Sequence, residues 1–127
     1  MRARTSRSKT SKQSSSKPKP RHESELRAAR WYRLRGYRVL AANCWVAGNE
    51  LDLVVRRGRV VAFCEVKSKS GPGFGDPLEM VTPEKARRIR RAAEGWLALN
   101  PSCQELDVRF DVVVDRRGRL EHVPAAF

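Results

Sequence analysis

The chain has 127 residues, which is enough for one domain with a single core and too few for two. It contains 27 Lys or Arg against 14 Asp or Glu, giving a formal net charge of +13. Such a basic excess favours polyanionic partners, either nucleic acid or anionic lipid. No apolar run reaches the length of a membrane helix, so we expect no membrane partner.

The positive charge is concentrated at the amino-terminal end. Residues 1–22 hold eight Lys or Arg and no acid, which leaves 19 basic against 14 acidic residues in the remainder. Because residues 1–21 are mostly Ser, Lys, Arg, Thr and Pro, they predict a disordered basic tail. This tail either grips phosphates or is solvated without a specific role. The folded domain is expected over residues 22–127.

The cysteines indicate a reducing compartment. Cys44, Cys64 and Cys103 are odd in number and widely spaced, without a CxxC motif. Neither a disulfide framework nor a zinc site is therefore predicted. The basic start of the chain is not followed by the apolar run of a signal peptide, so we expect a cytoplasmic protein.

In chain order, the pattern predicts two helices and five strands. The helices are expected over 23–35 and 83–99, and the strands over 37–44, 51–56, 59–66, 108–115 and 120–123. Arg57-Gly58 gives the strongest hairpin signal. Thr82 as N-cap, followed by a proline and an acid, gives the clearest helix start. The order α-β-β-β-α-β-β predicts a mixed α/β domain.

Two of these apolar strands contain charged residues where a core should contain none. Asp52 follows Glu50 in one strand, and Glu65 and Lys67 lie at the end of the next. Burying even a neutral polar group without a partner costs roughly 2–7 kcal/mol. Carboxylates retained at such positions therefore predict a chemical use.

Hairpin register predicts that these charges share one face. If Arg57-Gly58 forms a two-residue turn, Arg56 pairs with Arg59. Asp52 then lies opposite Phe63, Glu50 lies opposite Glu65, and Asp52 is the diagonal neighbour of Glu65. This register brings the charged side chains of both strands together.

Clustered carboxylates are typical of a divalent cation site. Mg²⁺ accepts one or two carboxylates together with water and a substrate phosphate. Such a cation can polarise a phosphoryl oxygen, while a neighbouring lysine such as Lys67 positions water or balances charge. The competing interpretation is a solvated edge hairpin, which is common for an isolated ExK tripeptide.

The same positions give the chain a resemblance to a known family. The residues concerned are Glu25 eleven residues before Gly36-Tyr37, then Asn43, Glu50-Leu51-Asp52-Leu53, Phe63-Cys64-Glu65-Val66-Lys67, Phe74-Gly75 and Lys85. Over residues 23–115 the chain resembles the PD-(D/E)XK, or restriction-endonuclease-like, nuclease superfamily. Within it, the chain looks like the YraN-type family of small bacterial proteins. The resemblance implies a restriction-endonuclease-like mixed β-sheet flanked by helices.

This resemblance also implies roles for individual residues. By similarity to archaeal Holliday-junction resolvases, the catalytic residues would be Glu25, Asp52, Glu65 and Lys67. The three carboxylates among them would bind Mg²⁺ or Mn²⁺. Glu25 shares a helix face with residues turned toward the fold, although an ordinary first-turn acid would look the same.

Further residues are candidates for contact with nucleic acid. The set comprises Lys69, Lys85, Arg87, Arg88, Arg91 and Phe74. The arginines could follow phosphates or form a solvated helix face. Phe74 lies in a Gly/Pro-rich loop over 68–82 and could stack on a base or cover the core. The three tryptophans are interpreted as core residues.

Three functions are compatible with the sequence. The first is a metal-dependent endonuclease acting on DNA rather than RNA, with branched DNA as a candidate substrate and a homodimer as a candidate assembly. The second is a nucleic-acid-binding protein that keeps the nuclease fold without significant turnover. A third is an RNA- or ribosome-associated protein that binds through its basic tail.

Overall fold

The computed structural model describes residues 22–69 and 77–127. The basic tail expected over 1–21 and the stacking residue Phe74 lie outside these ranges, so both stay predictions. Among the described residues, no helix combines the length and the apolar character needed to cross a bilayer.

The observed elements follow the predicted order. They are α1 (Glu23–Leu34), β1 (Arg38–Val46), β2 (Asn49–Arg57), β3 (Val60–Lys69), α2 (Pro83–Leu99), β4 (Asp107–Arg116) and β5 (Arg119–Val123), with short 3₁₀ turns at Pro77–Met80 and Pro101–Cys103. The predicted mixed α/β order is confirmed. The strands extend further than predicted, because β2 and β3 continue through the polar residues at their ends.

All five strands form one sheet in the order β1-β2-β3-β4-β5. Each neighbouring pair is antiparallel except β3 and β4, which run parallel. Parallel strands need a crossover connection, and α2 lies on the connection between β3 and β4. The two helices therefore cover opposite faces of the sheet.

Each face has its own apolar core. On the α1 face the buried residues are Ala28, Ala29, Tyr32, Tyr37, Leu53, Val55, Ala62, Cys64 and Val113. On the α2 face they are Leu51, Val54, Val61, Phe63, Ile89, Ala92, Ala93, Trp96 and Cys103. Alternate residues of β3 thus serve opposite cores, as the period of a strand requires. In β2 the alternation holds from Leu53 to Val55 and is broken before it, because Leu51 and Leu53 lie in opposite cores.

The first turn of α2 confirms the helix start read from the sequence. The Thr82 side chain accepts a hydrogen bond of 3.1 Å from the Lys85 amide. Proline at the first helical position lacks the N–H that would otherwise need a partner. This cap fixes the entry of α2 and places Lys85 in its first turn.

The β2–β3 hairpin differs from the predicted register by two residues. Arg57 pairs with Val60, so the turn consists of Gly58 and Arg59 and the predicted pairing of Arg56 with Arg59 is wrong. Gly58 has φ of +60°, in the left-handed region that favours glycine. The glycine was recognised correctly as the turn residue, but it occupies the first turn position and not the second.

This difference preserves the faces of the strands. A slip of two residues keeps the paired residues 53–57 and 60–64 on their predicted sides, whereas a slip of one would invert them. Phe63 pairs with Val54 and not with Asp52. Asp52 and Glu65 are the next residues beyond the last observed pair, Leu53–Cys64, whereas the predicted register made them diagonal neighbours.

The tryptophans do not all lie in the core. Trp96 is buried on the α2 face and Trp31 packs against the α1-face cluster. Trp45 is 68% exposed. Its assignment to the core is wrong because β1 is an edge strand and Trp45 lies near its end, next to the turn that leads into β2.

A buried aspartate in β4 joins α1 and β5 to the sheet. Asp111 has no exposed surface and accepts hydrogen bonds from Tyr32 Oη (2.7 Å), Arg109 Nε (2.8 Å) and the Ala125 amide (3.2 Å). His122 Nε2 lies 3.0 Å from the same carboxylate. Burial alone would raise the pKa of Asp111, but the hydrogen bonds with His122, Arg109 and Tyr32 outweigh it and lower the pKa well below its usual range.

Replacing this carboxylate tests its contribution. We expect Asp111→Asn to lower the free energy of unfolding by about 3 kcal/mol at pH 7, because Arg109 loses its buried counter-ion. The pKa of Asp111 is lowered in the folded state, so its stabilisation is present above the unfolded pKa and is lost on acidification. Urea denaturation should therefore show that the difference in unfolding free energy between wild type and Asp111→Asn narrows below about pH 4. Asp107→Asn, an exposed change on the same strand, is the control and should have little effect.

Gly95 tests the packing of α2 on β1. Alanine in a helix interior normally gains about 1 kcal/mol over glycine. Here a Cβ would lie 2.6 Å from Val46 Cγ1, so we expect Gly95→Ala to lower stability by about 1–2 kcal/mol. The double variant Val46→Ala/Gly95→Ala should lose less than the two single effects summed. A Gly95→Ala protein more stable than wild type would contradict this packing.

Candidate active site

The candidate site lies where two neighbouring strands stop pairing. The β2–β3 register runs from Arg57–Val60 to Leu53–Cys64. Beyond that point β2 remains paired with β1, and β3 remains paired with β4. Asp52 and Glu65 are the first residues past the last β2–β3 pair, and the sheet is thus opened at its centre beside two carboxylates.

Asp52 compensates for the interrupted pairing with its side chain. Its Oδ2 atom accepts a hydrogen bond of 2.9 Å from the Val66 amide. The Glu65 carboxylate lies close enough for its charge to act on Asp52. Burial and the charge of Glu65 raise the pKa of Asp52 from 3.8 to about 7, although the bond from Val66 opposes the shift. Burial and the neighbouring charge thus favour the protonated form of Asp52.

Two lysines contact the second carboxylate. Glu65 is only 5% exposed, and its Oε2 atom lies 3.3 Å from Lys67 Nζ and 3.6 Å from Lys85 Nζ. Lys67 comes from the same strand, whereas Lys85 comes from the first turn of α2. The predicted proximity of Lys67 to Glu65 is confirmed. Lys85 was predicted as a contact for nucleic acid, and the structure also places it beside Glu65.

Glu25 approaches from the opposite face of the sheet. It is buried in the first turn of α1, and its charge contributes to the raised pKa of Asp52. The helix is fixed on both sides of Glu25, because Ser24 Oγ (2.8 Å) and Arg27 Nε (2.9 Å) donate hydrogen bonds to Asp115. The structure therefore brings Glu25 toward Asp52, as the sequence predicted.

These side chains fit a divalent cation in part. Asp52 and Glu65 offer hard oxygen donors whose mutual repulsion, expressed in the raised pKa of Asp52, a cation would relieve. Mg²⁺ is commonly bound through one or two carboxylates, with water and substrate phosphate as its other ligands. Within residues 22–69 and 77–127, no group of three or more His, Cys, Asp or Glu side chains is arranged to hold a metal ion. Glu25 as a third ligand stays a prediction.

The other basic residues predicted to contact nucleic acid lie on α2 and on β3. Arg87, Arg88 and Arg91 are exposed, as predicted, and Arg88 Nη2 lies 3.5 Å from Glu84 one turn earlier. Lys69 is half-buried at the end of β3, two residues beyond Lys67. Contact of these cations with nucleic acid stays a prediction.

The positioning residues Asp111 and Asp115 were not recognised from the sequence. Both are buried carboxylates within the apolar run of β4, the same signal that identified Asp52 and Glu65. A carboxylate within an apolar strand does not by itself show whether the residue holds the fold or belongs to the candidate site. Asp115 is satisfied by Ser24, Arg27 and the Gly118 amide, and those bonds lower its pKa despite burial. Asp52 faces another carboxylate, and its pKa rises.

Comparison with known proteins agrees with the extent of the folded part. Residues 24–114 match the sequence model of a family described as "Uncharacterised protein family UPF0102". A UPF0102 protein of Anaeromyxobacter dehalogenans is 44% identical over 109 residues, covering 83% of this chain and 81% of that protein. One from Rhodopseudomonas palustris is 40% identical over 104 residues, with coverage of 81% and 80%. One from Klebsiella pneumoniae is 38% identical over 104 residues, covering 81% of each.

The raised pKa of Asp52 predicts a stability change in the metal-free protein. Between about pH 4 and 7 the folded state retains a proton that the unfolded state releases, so stability falls as pH rises through this window. We expect Asp52→Asn to raise the free energy of unfolding by about 2 kcal/mol at pH 8 in EDTA. The gain should vanish near pH 4. Urea denaturation measures it, with the exposed change Glu94→Gln as control. A destabilised Asp52→Asn protein at pH 8 would contradict the assignment.

Proposed function

This chain belongs to the uncharacterised protein family UPF0102, and we propose that it is a metal-dependent endonuclease that hydrolyses phosphodiester bonds in nucleic acid. The observation that supports the proposal most directly is the pair Asp52 and Glu65 at the interrupted β2–β3 pairing, with Lys67 Nζ 3.3 Å from Glu65. Two acids and a lysine at one opening of a sheet are suited to phosphoryl chemistry.

The proposal gives each side chain a role. Asp52 and Glu65 would hold Mg²⁺ or Mn²⁺, which when bound supplies a polarised phosphoryl oxygen and a water of lowered pKa. Lys67 orients the attacking water or balances the negative charge that develops on the phosphate. Lys85 shares the charge of Glu65 and approaches from α2, so it contributes to phosphate binding beside the scissile bond. Glu25 adds a third negative charge near Asp52.

The nuclease superfamily is part of the same proposal. The resemblance to PD-(D/E)XK nucleases of the YraN type rests on the sequence positions Glu25, Asp52, Glu65 and Lys67. It favours DNA over RNA and includes branched DNA among the substrates, for which a homodimer would supply two sites. The exposed arginines of α2 supply positive charge for the backbone of either nucleic acid. Location in the cytoplasm also stays a prediction.

One observation favours a second candidate function. The described residues contain no group of three or more side chains arranged to hold a metal ion. A nuclease-fold protein that binds nucleic acid without hydrolysing it does not need such a group. The two functions differ only in hydrolysis. A cleavage measurement therefore separates them while binding is measured in parallel.

We expect the wild-type protein to cleave at least one member of a panel of branched, single-stranded and duplex DNA with Mg²⁺ or Mn²⁺, and not in EDTA. Asp52→Asn and Lys67→Ala should each reduce the cleavage rate by about 10²-fold or more, because each removes a group that acts on the developing charge. Mn²⁺ should also raise the melting temperature of wild type and not of Asp52→Asn. Gel electrophoresis of labelled DNA and calorimetry are the measurements.

Glu94→Gln is the matched control, because it removes an exposed carboxylate of α2 and should leave both cleavage and the Mn²⁺ effect unchanged. Cleavage that survives Asp52→Asn or Lys67→Ala would rule out the catalytic assignment. Binding without cleavage on any substrate would favour the second function. A parallel protein lacking residues 1–21 tests the tail, since loss of nearly all binding would assign recognition to the tail and not to the fold.

A further inference from the structure

An exposed tryptophan borders a groove next to the carboxylate pair. The groove has a volume of about 220 Å³ and is lined by Trp45, Asn49, Glu50, Lys85, Arg88 and Ile89. Lys85 lines it and also lies 3.6 Å from Glu65, so the groove adjoins the candidate active site. A large aromatic side chain at such a position is more informative than scattered exposed apolar residues.

The local backbone holds Trp45 at the rim without burying it. The turn after β1 places Ala47 at φ of +53° and Gly48 at φ of +77°, which is a tight turn between antiparallel strands. Asn49 Nδ2 donates a hydrogen bond of 3.0 Å to the Ala47 carbonyl and braces this turn. Trp45 pairs with Glu50 across the two strands, so its position is set by β-sheet pairing. The indole is therefore presented on a fixed backbone.

The charges around the groove favour an anion. Lys85 and Arg88 supply two cations from successive turns of α2, and Glu50 is the acid that lines the groove with them. Both cations also lie near an acid outside the groove, Lys85 3.6 Å from Glu65 and Arg88 3.5 Å from the exposed Glu84, so a bound phosphate would share or replace these contacts. A flat aromatic surface beside cations is the combination that binds a nucleotide, because the base stacks while the phosphate meets the positive charge. An apolar protein partner would not use the lysine and arginine.

We propose that this groove binds an unpaired nucleotide through stacking of its base on Trp45, with its phosphate near Lys85 and Arg88. A base inside a duplex has both faces covered by its neighbours, and a terminal base of a blunt duplex is still held by its pairing partner. We therefore expect the groove to take an unpaired base in an overhang, a flap or a single-stranded junction. The inference rests on the proposed function for its link to cleavage. It narrows the substrate class to nucleic acid with a single-stranded segment next to the cleaved bond.

The test measures binding in EDTA, where hydrolysis does not occur. A short fluorescein-labelled oligothymidylate and a blunt duplex of equal length are titrated with the full chain at physiological salt, and anisotropy gives each affinity. We expect Trp45→Ala to weaken oligothymidylate binding by about 5- to 100-fold, and to change duplex binding by less than about 2-fold. Trp45→Phe should restore most of the affinity, because phenylalanine also stacks. Wild-type tryptophan fluorescence should be quenched by unlabelled oligothymidylate, and the quenching should be lost in Trp45→Ala.

Leu99→Ala is the control for removing an exposed apolar side chain away from the groove. Leu99 is 73% exposed and lies about 21 Å along α2 from Lys85. It should bind both probes like wild type. Because the basic tail is present in every variant, its contribution cancels from the comparison.

Equal oligothymidylate affinity of wild type and Trp45→Ala would overturn the inference, as would an equal loss on the duplex. An emission maximum that shifts with protein concentration in wild type and not in Trp45→Ala, without nucleic acid, would also overturn the inference. It would assign Trp45 to contact between two copies of the chain. These outcomes are separate from failure of the proposed function. Selective loss of single-strand binding without any Mn²⁺-dependent cleavage would retain the groove assignment and reject the endonuclease.

Discussion

The hydrogen bond from the Val66 amide to Asp52 Oδ2 is the constraint on which the site depends. At 2.9 Å it takes the place of a strand-to-strand bond where β2 and β3 stop pairing. Without a side-chain acceptor at that position, opening the sheet would leave a backbone donor without its β2 partner. One carboxylate therefore lets the sheet open and also supplies negative charge to the opening. Burial and the neighbouring Glu65 raise the pKa of this carboxyl, and the bond from Val66 opposes the rise.

The other buried acids support this opening from a distance. Asp115 binds residues on either side of Glu25 in α1, and Asp111 ties α1 and β5 to the same strand through Tyr32 and His122. Each of these aspartates is surrounded by donors, and their pKa values are lowered. Asp52, Asp111 and Asp115 are all removed from solvent to some degree. The sign of the pKa shift separates the two that hold the fold from Asp52, which faces another acid.

The sequence predicted the elements, the α2 cap and the proximity of Asp52 to Glu65, because all of these follow from periodicity and local chemistry. The hairpin register was wrong by two residues, since either position in the turn accepts the glycine at 58. The residues that position Glu25 could not be found, because the contact between Ser24 and Asp115 joins residues far apart in the chain. Exposure of Trp45 depended on β1 being an edge strand, which is a property of sheet order and not of local pattern.

The parallel pairing of β3 with β4 has a consequence for the order of folding. The three strands β1 to β3 are joined by tight turns, so Asp52, Glu65 and Lys67 can meet through contacts that are local in sequence. Lys85 reaches Glu65 only when the long crossover between β3 and β4 closes, which is slow because its loop-closure entropy precedes its contacts. Asp52 and Glu65 would therefore be close together before Lys85 reaches them. Closure of the crossover then brings a positive charge next to Glu65.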